Sequence, residues 1–586
     1  MTADVDIINV DVLIIGGGFA GAWAAYSAAQ YTSNILLVDK GFVSRSGAST
    51  LSGGITTCPL DTDDLDLWAK EFVTRGHYMV NYNWTRKVLE GQVDRVKQFS
   101  DWGVQISRDA KGAIRRFSSR GMIDVRCMQY SPKGAMEALR RQITARGVRI
   151  LDRACITELM TSDGEYPTRG EIVGAFGFYP RSGRCVAISA KRTIVATGIM
   201  AMKGRHRVDT DTGDGFAMSY RAGARLVDLE FSYGGTFSFL MKRFTFGNYN
   251  VAVAHGARLI NALGERFMEK YDPVRFERSE LSRVVAAFAK EIMDGRGPVY
   301  VDLRHCDESY WSSLVEVGRK ASILLSNHIP NPRTTPLPIE PTWGMWNGSR
   351  SGLKIDLGGR ATLPGLLGAG ACSKNEATGT HASAGVPTAY AMNSGFVAGE
   401  TAGRESVSAS PPKVSDQVLR MLAEKALAPL SRKGNGRHVD DLHDDLTLTE
   451  SSVVDMMNLD APNLDRKIAR TWEITEAAEA TRVDDLHDLV KLHEAVNIAQ
   501  NARLVYMASL DRTESREQFH RSDYPATDDE NWHCWHGVTR TQNGPTFDKE
   551  QIPLHLVPFP IEKSGHGQIS SLHAILNGTF RRENYT

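Results

Sequence analysis

Apolar and polar positions follow two different periods along this chain, and the change of period predicts its elements. An apolar run, Val10 to Ile15, precedes a glycine cluster and an alanine-rich stretch, Ala22 to Ala29; a second apolar run then ends at Asp39. Short apolar runs bounded by glycine are typical of buried strands, and a longer alanine-rich stretch is typical of a helix. The first 60 residues therefore predict the βαβ beginning of a doubly wound sheet.

The rest of the chain predicts further strands, long helices and one insertion. Helical spacing of apolar residues predicts helices within residues 63–104, 133–146 and 484–510. Strands are predicted at residues 148–151 and 172–176, around a turn at 162–164, and at 185–188, 193–196 and 365–370. Residues 193–198 and residues 365–370 share one pattern, a short apolar strand followed by small residues. Because these two similar segments are far apart in the chain, we expect them to belong to one domain that is interrupted by an insertion at roughly residues 232–345. Residues 408–412 predict a linker, and the segment after Asp523 predicts a loop-rich tail.

The glycine cluster, Gly16 to Gly21, has the spacing of a dinucleotide-binding turn. Glycines allow the tight turn, the close approach of a pyrophosphate and the packing of the helix on the sheet. The helix N-terminus favours the phosphate charge. Asp39, about 20 residues further on, is placed to accept hydrogen bonds from a ribose. An ordinary glycine-rich turn is the alternative for the motif alone, but the flanking strand, helix and acid predict a dinucleotide site.

The overall composition argues against several classes of function. The 586 residues predict two to four domains, and 69 basic residues balance 69 acidic ones. A neutral chain gives no electrostatic support for binding nucleic acid or an anionic membrane. The first ten residues contain no basic region, and no stretch of 18 apolar residues occurs. We therefore expect a cytoplasmic protein without membrane insertion.

The cysteines give no sign of a metal centre in this chain. The seven are scattered, and no C-x-x-C pair occurs among them. This spacing does not favour an iron–sulfur cluster, and we predict no metal-binding residues. Single buried cysteines in a reducing compartment are the expectation instead.

Together these features resemble the flavoprotein subunits of succinate dehydrogenase, fumarate reductase, L-aspartate oxidase and adenylylsulfate reductase. The resemblance covers most of the chain and rests on motifs in the family's order, at residues 16–21, 44–49, 52–55, 212–215, 263–268, 512–516, 520–525 and 528–532. It implies an α/β fold in which a Rossmann-like FAD-binding domain is interrupted by an α+β capping domain and followed by a helical C-terminal domain. The implied bounds are 1–231 and 346–405 for the FAD-binding domain, 232–345 for the cap, and 406–586 for the C-terminal domain with its loop-rich tail.

The resemblance also implies FAD as the cofactor, with substrate reacting at its N5 atom by hydride transfer between the FAD-binding and capping domains. The residues expected to contact FAD are Gly16, Gly18, Phe19, Ala20, Gly21, Asp39, Lys40, Ser46, Gly47, Ala48, Ser49, Gly53, Gly54, Ile156, Ala196, Thr197, Gly198, Asp214, Gly370, Ala371, Ser383, Ala384 and Val386.

Departures from the family's motifs argue against a C4 dicarboxylate substrate. The histidine that attaches FAD covalently in membrane-linked relatives is replaced by Gly47, so we expect non-covalent FAD. Residues 230–236 lack the histidine of the cap motif, and residues 381–385 lack the arginine that clamps a carboxylate. A bidentate arginine contact contributes too much to be dispensable where it is used. Arg283 lies one position from the family's proton-donating arginine, and one residue on a helix is about 100° of rotation.

Two short matches favour the adenylylsulfate reductase branch: residues 45–48 and residues 379–382. That branch pairs its flavoprotein with a small ferredoxin-like subunit that carries two [4Fe–4S] clusters. The resemblance thus implies a heterodimer or larger assembly in which any clusters belong to the partner.

Four residues are candidates for catalysis. His381 could move a proton beside the flavin, or could only order its loop. Arg283 could act as the proton donor, could be a solvated helix arginine, or could form an ion pair with Glu280. His255 and Arg258 lie where relatives place substrate contacts in the cap.

Thr236, Trp343 and Trp346 are candidates for the substrate pocket. The two tryptophans could stack on a planar substrate or could simply pack in the core. The sequence therefore predicts an FAD-dependent oxidoreductase acting on a small, planar or anionic substrate that is not a C4 dicarboxylate, with an iron–sulfur partner. A stand-alone oxidase or dehydrogenase of the L-aspartate oxidase type, a true adenylylsulfate reductase flavoprotein, and a non-catalytic FAD-stabilised scaffold remain alternatives.

Overall fold

The computed structural model describes residues 5–118, 120–203, 210–239, 244–245, 249–317, 331–345, 348, 350–380, 385–432, 436–450, 458–562 and 565–581; at 235–236, 238–239, 244–245 and 341–343 only the backbone is described. In that part of the chain, no helix combines the length and the apolar character needed to cross a membrane.

A seven-stranded sheet forms the centre of the fold. Its strands are β1 (Val5–Ile15), β2 (Ile35–Asp39), β6 (Arg149–Asp152), β7 (Cys155–Thr161), β8 (Ile172–Phe178), β9 (Cys185–Val195) and β17 (Leu366–Gly368). The order is β6-β2-β1-β9-β8-β7, and β17 also pairs with the end of β9. Neighbours among β6, β2, β1, β9 and β17 are parallel, while β7 and β8 are antiparallel. Val12, Leu13 and Ile14 are fully buried, as expected for a parallel strand covered on both faces.

Helices and a small sheet surround the central sheet. The helices are α1 (Phe19–Ala28), α2 (Gly47–Leu51), α3 (Leu65–Arg75), α4 (Tyr82–Asp101), α5 (Pro132–Ala145) and α6 (Asp214–Ala222). The small antiparallel sheet contains β3 (Ile55–Thr57), β4 (Arg116–Ser118) and β5 (Arg126–Gln129), in the order β3-β5-β4. The carboxyl ends of β1, β2 and β9 meet at one edge of the central sheet, which is where ligands bind in such folds.

A second sheet lies in the inserted segment. Its strands are β11 (Tyr233–Phe239), β12 (Phe244–Thr245), β13 (Arg258–Ile260), β14 (Val299–Asp302) and β15 (Leu337–Met345), in the order β12-β11-β15-β14-β13. The accompanying helices are α7 (Tyr249–Ala254), α8 (Met268–Tyr271), α9 (Leu281–Met293) and α10 (Glu308–Glu316). Helix α9 packs against this sheet because Val284, Val285 and Phe288 form a fully buried apolar face.

The remaining part of the chain is mainly helical. Its helices are α11 (Val386–Ser408), α12 (Asp416–Leu427), α13 (Val439–Leu448), α14 (Ala461–Ala480), α15 (Leu486–Asp511), α16 (Asp529–Trp532) and α17 (Ser571–Leu576). A hairpin of β18 (Cys534–Thr541) and β19 (Gly544–Gln551) joins β10 (Leu226–Val227) and β16 (Gly352–Leu353) in a four-stranded sheet.

The structure confirms the predicted fold class and changes three details. Residues 185–188 and 193–196 were expected as two strands, but one strand runs through both because its polar middle, Ser189 to Arg192, still pairs with β1. The segment 148–151 pairs with β2 at the sheet edge, whereas β7 and β8 flank the turn at 162–164. The tail after Asp523 contains the β18–β19 hairpin, so it is less irregular than predicted. The domain bounds stay a prediction.

Candidate functional site

A cavity of about 340 Å³ opens at the carboxyl edge of the parallel strands. One part of its wall comes from the glycine turn after β1, the ends of β2 and β9, helix α2 and the first turn of α11. The other part comes from the inserted segment, through Phe237, Tyr249, Asn250 and Leu281. A cavity of this size between two structural units is typical of a cofactor or substrate site.

The glycine turn exposes backbone groups, unshielded by side chains, to the cavity. Gly16 has φ +107°, and a Cβ there would lie 2.4 Å from the carbonyl oxygen of Ala196. A Cβ on Gly21 would lie 1.8 Å from the carbonyl oxygen of Gly16, so only glycine lets α1 pack this closely. The cap residue of α1, Gly18, offers no side-chain hydrogen bond. The first turn of α1 can therefore bind an anionic group such as a pyrophosphate.

Asp39 holds the glycine turn in place. Its two carboxylate oxygens accept hydrogen bonds from the backbone N–H groups of Gly17 and Gly41, each at 2.7 Å. Burial raises the pKa of Asp39, and these two hydrogen bonds oppose that shift. Because a carboxylate has about four lone-pair sites, Asp39 can also accept a hydrogen bond from a ribose hydroxyl.

Lys40 connects the cavity wall to helix α15 through an ion pair. Its Nζ atom lies 2.8 Å from Oδ2 of Asp214 and 2.6 Å from Oε1 of Glu494. Burial disfavours the charged form of Lys40, but the two carboxylates more than offset it and raise its pKa. Burial likewise opposes ionisation of Asp214, and Lys40 reverses the effect, so the pKa of Asp214 is lowered. All three groups are therefore ionised at neutral pH.

Most of the residues expected to bind FAD lie in the wall of this one cavity. They are Gly16, Gly18, Phe19, Ala20, Asp39, Lys40, Ser46, Gly47, Ala48, Ser49, Gly53, Ile156, Ala196, Thr197, Gly198, Asp214 and Ala371. The structure thus assembles segments that are more than 300 residues apart in the chain. The side chains and main chain present fit a dinucleotide cofactor.

Four of the expected residues lie outside the cavity wall and serve the packing behind it. Gly21 permits the contact with Gly16. Gly54 lies against Tyr130, where a Cβ would be 2.1 Å from the carbonyl oxygen, and Gly370 lies against Ala20, where a Cβ would be 2.6 Å from the methyl group. Val386 is buried at the start of α11. Ser383 and Ala384 lie outside the described residues.

The candidate catalytic residues of the cap do not line the cavity. Nη1 of Arg283 lies 3.2 Å from Oδ2 of Asp272, and Nδ1 of His255 lies 3.2 Å from the carboxylate of Asp307. Arg258 is on β13, at the far edge of the sheet from β11, which contributes Phe237 to the cavity wall. The catalytic role of these three residues remains a prediction. His381 lies outside the described residues.

The expected substrate-pocket residues are described in part. Thr236 and Trp343 belong to the paired strands β11 and β15, where Thr236 pairs with Thr342 and Trp343 with Gly235. Their side chains, and the whole of Trp346, lie outside what the structure describes. Their role in the pocket remains a prediction.

Sequence reasoning missed Arg120, Tyr249 and Asn250, all of which line the cavity. Arg120 follows the basic pair Arg115–Arg116, which is equally compatible with a solvated surface. Only 4% of Arg120 is exposed. A local sequence pattern carries no signal for such burial, because it depends on the inserted segment folding over the loop.

Comparison with known proteins identifies the families that this chain matches. The family of FAD binding domains matches residues 11–388, and the family of fumarate reductase flavoprotein C-terminal domains matches residues 456–565. A curated relative, one of the subunits of the fumarate reductase (CoM/CoB) of Methanothermobacter marburgensis, is 26% identical over 555 residues, which cover 89% of this chain and 96% of the relative.

Solved structures show the same fold over nearly the whole chain. The flavoprotein of E. coli quinol fumarate reductase superposes with a TM-score of 0.84 at 20% identity, covering 97% of this chain and 100% of that one. Adenylylsulfate reductase from Archaeoglobus fulgidus superposes with a TM-score of 0.79 at 20% identity, covering 95% of this chain and 98% of that one. At this identity both likenesses show the fold alone. The matches to the two family models, together with the curated relatives, show that the chain belongs to the FAD-dependent oxidoreductases of the fumarate reductase and succinate dehydrogenase flavoprotein family.

Proposed function

We propose that this flavoprotein performs two-electron redox chemistry on a small anionic substrate that is not a C4 dicarboxylate. In this proposal FAD is bound non-covalently, and electrons are exchanged with a ferredoxin-like iron–sulfur partner subunit. The observation that carries the proposal is the composition of the cavity wall, in which the glycine turn and α2 face the cap residues Phe237, Tyr249 and Leu281. Residues expected to hold the cofactor and residues of the cap thus face one cavity, as at a site where a substrate lies beside its cofactor.

The residues present indicate which part of the reaction FAD would supply and which part the protein would supply. FAD, when bound, supplies a hydride acceptor or donor. The chain supplies the α1 N-terminus and glycine turn for the pyrophosphate, Asp39 for the ribose, and the Lys40–Asp214 pair to keep the two ends of the wall together. Cap residues complete the wall and exclude water from the substrate side.

Non-covalent attachment is supported by the side chains around the cavity. Gly47 stands where covalently linked relatives carry histidine, and it lines the cavity with φ +80°. Among the described residues of the wall, none is a histidine or a cysteine. Histidine and cysteine are nucleophilic side chains that can form a covalent bond to a cofactor.

The exclusion of C4 dicarboxylates is supported at Gly385, which stands where the dicarboxylate enzymes carry a clamping arginine. Gly385 lines the cavity with φ +80°, and a Cβ there would lie 2.9 Å from Sγ of Cys127. Neither the backbone conformation nor the space admits a long side chain. Arg283, the nearest match to the proton-donating arginine, pairs with Asp272 away from the wall.

The partner subunit is supported by the relatives and by the cysteines. The relative from Methanothermobacter marburgensis is named as one subunit of its enzyme. None of the seven cysteines forms a disulfide bond, and all but Cys306 are buried. Clusters that carry electrons to or from the flavin would accordingly belong to a second chain.

The proposal is tested by purifying the protein from its native source and recording the visible spectrum and the co-purifying chains. A flavin spectrum with an additional broad absorption at about 400 nm from a small second chain, bleached by dithionite, supports the iron–sulfur assembly. A single yellow chain that is reoxidised rapidly by air would instead identify a stand-alone oxidase. Reduction of an acceptor by AMP with sulfite would identify a true adenylylsulfate reductase. A bound flavin that no ligand or reductant can reduce would contradict an oxidoreductase function.

A further inference from the structure

A row of arginine and aromatic side chains lies among the packed helices α1, α4, α5 and α11. The row, which we call the Arg95 ladder, contains in spatial order Arg146, Tyr26, Trp102, Trp23, Arg95 and Phe396. The ring centres of Tyr26 and Trp102 lie 5.3 Å apart, and those of Trp102 and Trp23 lie 5.1 Å apart. Cζ of Arg95 lies 4.6 Å from the centre of the Trp23 ring and 4.0 Å from that of Phe396. The members therefore form one continuous set of aromatic and cation–π contacts.

Arg95 carries a buried charge in the middle of the ladder. Only 4% of Arg95 is exposed. In the part of the chain that the structure describes, Nε and Nη1 have no hydrogen-bond partner, and no carboxylate forms an ion pair with the guanidinium. Burial lowers the pKa of Arg95 to about 10, because it outweighs the opposing effects of Asp94 and Tyr26. The stacked rings attract the cation but accept no conventional hydrogen bond, so its burial is costly in the isolated chain.

Arg146 supplies a second positive charge at the exposed end of the ladder. Its Cζ atom lies 4.1 Å from the centre of the Tyr26 ring, and its Nη2 atom donates to the hydroxyl of Tyr26 at 3.2 Å. Nη1 donates to the backbone carbonyl oxygen and to Oε1 of Gln142, each at 3.0 Å. These partners are neutral, so they orient the guanidinium of Arg146 without cancelling its charge.

The acidic side chains near the ladder leave this positive charge in place. Glu400, on α11, pairs with Arg404 at 2.6 Å. Asp94 and Asp101 are exposed on α4, and within the described ranges neither forms an ion pair with an arginine of the ladder. The ladder thus presents a positively charged surface, which is complementary to an acidic partner.

The ladder is also in contact with the wall of the cofactor cavity. Phe19, the first residue of α1, lines that cavity. The ring centre of Phe99 lies 6.1 Å from that of Phe19 and 6.5 Å from that of Trp23. Tyr26 follows Phe19 by two turns of the same helix, which corresponds to about 10 Å along its axis. A chain bound at the ladder would therefore lie close to the cofactor, as the exchange of electrons requires.

We propose that the Arg95 ladder is a docking surface for the iron–sulfur partner subunit, which places an aspartate or glutamate side chain against Arg95 and Arg146. The inference rests on the proposed function, since it assigns a binding site to the partner named there. A carboxylate is the acceptor that a guanidinium binds best. The half-buried rings of Tyr26, Trp102 and Phe396 would be covered on binding. Arginine, tryptophan and tyrosine are the residue types that contribute most of the binding energy at protein interfaces.

The test uses the FAD-loaded protein and the iron–sulfur chain that co-purifies with it, prepared separately and titrated by calorimetry. Arg95→Met retains an unbranched apolar side chain but removes the charge. We expect it to raise the Kd for the iron–sulfur chain at least tenfold, because a charge-assisted hydrogen bond at the centre of the surface is lost. Arg146→Met should raise the Kd by about two- to fivefold, since an exposed charge at the rim contributes less.

Measurements on the free protein distinguish this role from a structural one. A buried charge without a hydrogen-bond partner does not stabilise the chain that contains it. Arg95→Met should therefore leave the FAD content unchanged and should leave Tm unchanged or raise it. Lys87→Met is the matched control, because it removes one positive charge from an exposed side chain of the same helix. This control should leave the Kd for the iron–sulfur chain unchanged.

Equal Kd values for wild type and Arg95→Met would overturn the assignment. A lower Tm for Arg95→Met would also overturn it, since Arg95 would then serve the fold. Self-association that is lost in Arg95→Met, while the iron–sulfur chain still binds, would identify a second copy of this chain as the occupant instead. A wild-type protein that carries flavin but co-purifies with no iron–sulfur chain would contradict the partner in the proposed function, and with it the occupant proposed here.

Discussion

Nε of Arg512 lies 2.6 Å from Oε1 of Glu230, and both side chains are fully buried. Glu230 precedes the first strand of the cap, and Arg512 follows the last residue of α15. The guanidinium also donates to Oε1 of Glu514 at 2.5 Å. This pair therefore connects the entrance of the cap with the C-terminal family motif, at a place where an unpaired charge would be costly.

Replacing Arg512 by methionine should destabilise the protein by about 3–5 kcal/mol, because it removes the cation shared by the buried carboxylates of Glu230 and Glu514 and leaves them only His536 and Arg516. Arg404→Met is the matched control, since Arg404 pairs with Glu400 at 2.6 Å on the surface and is 63% exposed. The control should cost less than about 1 kcal/mol. Thermal or urea unfolding measures both. Equal losses in the two variants would show that burial does not set the strength of the Arg512 pair.

The stability of the protein should fall with rising pH because of His536. Burial acts to lower the pKa of His536, but Glu230 and Asp511 outweigh it and raise the pKa to about 9. Nδ1 lies 3.3 Å from Glu230 and Nε2 lies 2.9 Å from Asp511, with Arg512 opposing the protonated form. Since the folded pKa exceeds the unfolded value of about 6.5, the contribution is complete below pH ~6.5 and is lost as the pH rises through about 9.

This contribution amounts to roughly 3 kcal/mol, as the difference between the two pKa values implies. Unfolding measured between pH 6 and pH 10 should show a steeper decline for wild type than for His536→Gln. His487→Gln, which alters an exposed histidine of α15, should follow the wild-type curve. Parallel curves for wild type and His536→Gln would refute the role of His536.

Lys40→Met should weaken FAD retention, because Asp214 in the wall of the cofactor cavity would lose its cation and would be repelled by Glu494 behind it. We expect at least a tenfold loss of affinity, which corresponds to about 1.4 kcal/mol. Adding Glu494→Gln should recover part of it. Lys97→Met is the control, since Lys97 is 55% exposed and pairs with Asp61 on the surface. Flavin content per chain after gel filtration measures the effect, and an unchanged content in Lys40→Met would disprove it.

FAD should leave the protein on acid denaturation. Gly47 provides no side chain for a covalent bond, and the described wall of the cavity contains neither histidine nor cysteine. After precipitation with trichloroacetic acid, the yellow colour should remain in the supernatant. A flavin that stays with the washed pellet would show a covalent link and would overturn this expectation.

The sequence by itself determined the parts of the site that depend on local pattern. The turn from Gly16 to Gly21 could be identified because a close backbone approach admits only glycine, and Asp39 because an acid at the end of β2 has a set spacing from that turn. The long helix α15 was predicted within one or two residues, since apolar residues recur along it at helical spacing.

Only the tertiary structure decided which charged side chains meet the cavity. Arg120 and Arg283 are both arginines of low exposure, yet Arg120 lies in the wall and Arg283 pairs with Asp272 behind it. The hairpin of β18 and β19 was missed for the same reason, because β18 pairs with the distant strand β10 as well as with β19. Backbone turns and periodicity are local properties, whereas burial and ion pairing depend on contacts between segments that are far apart in the chain.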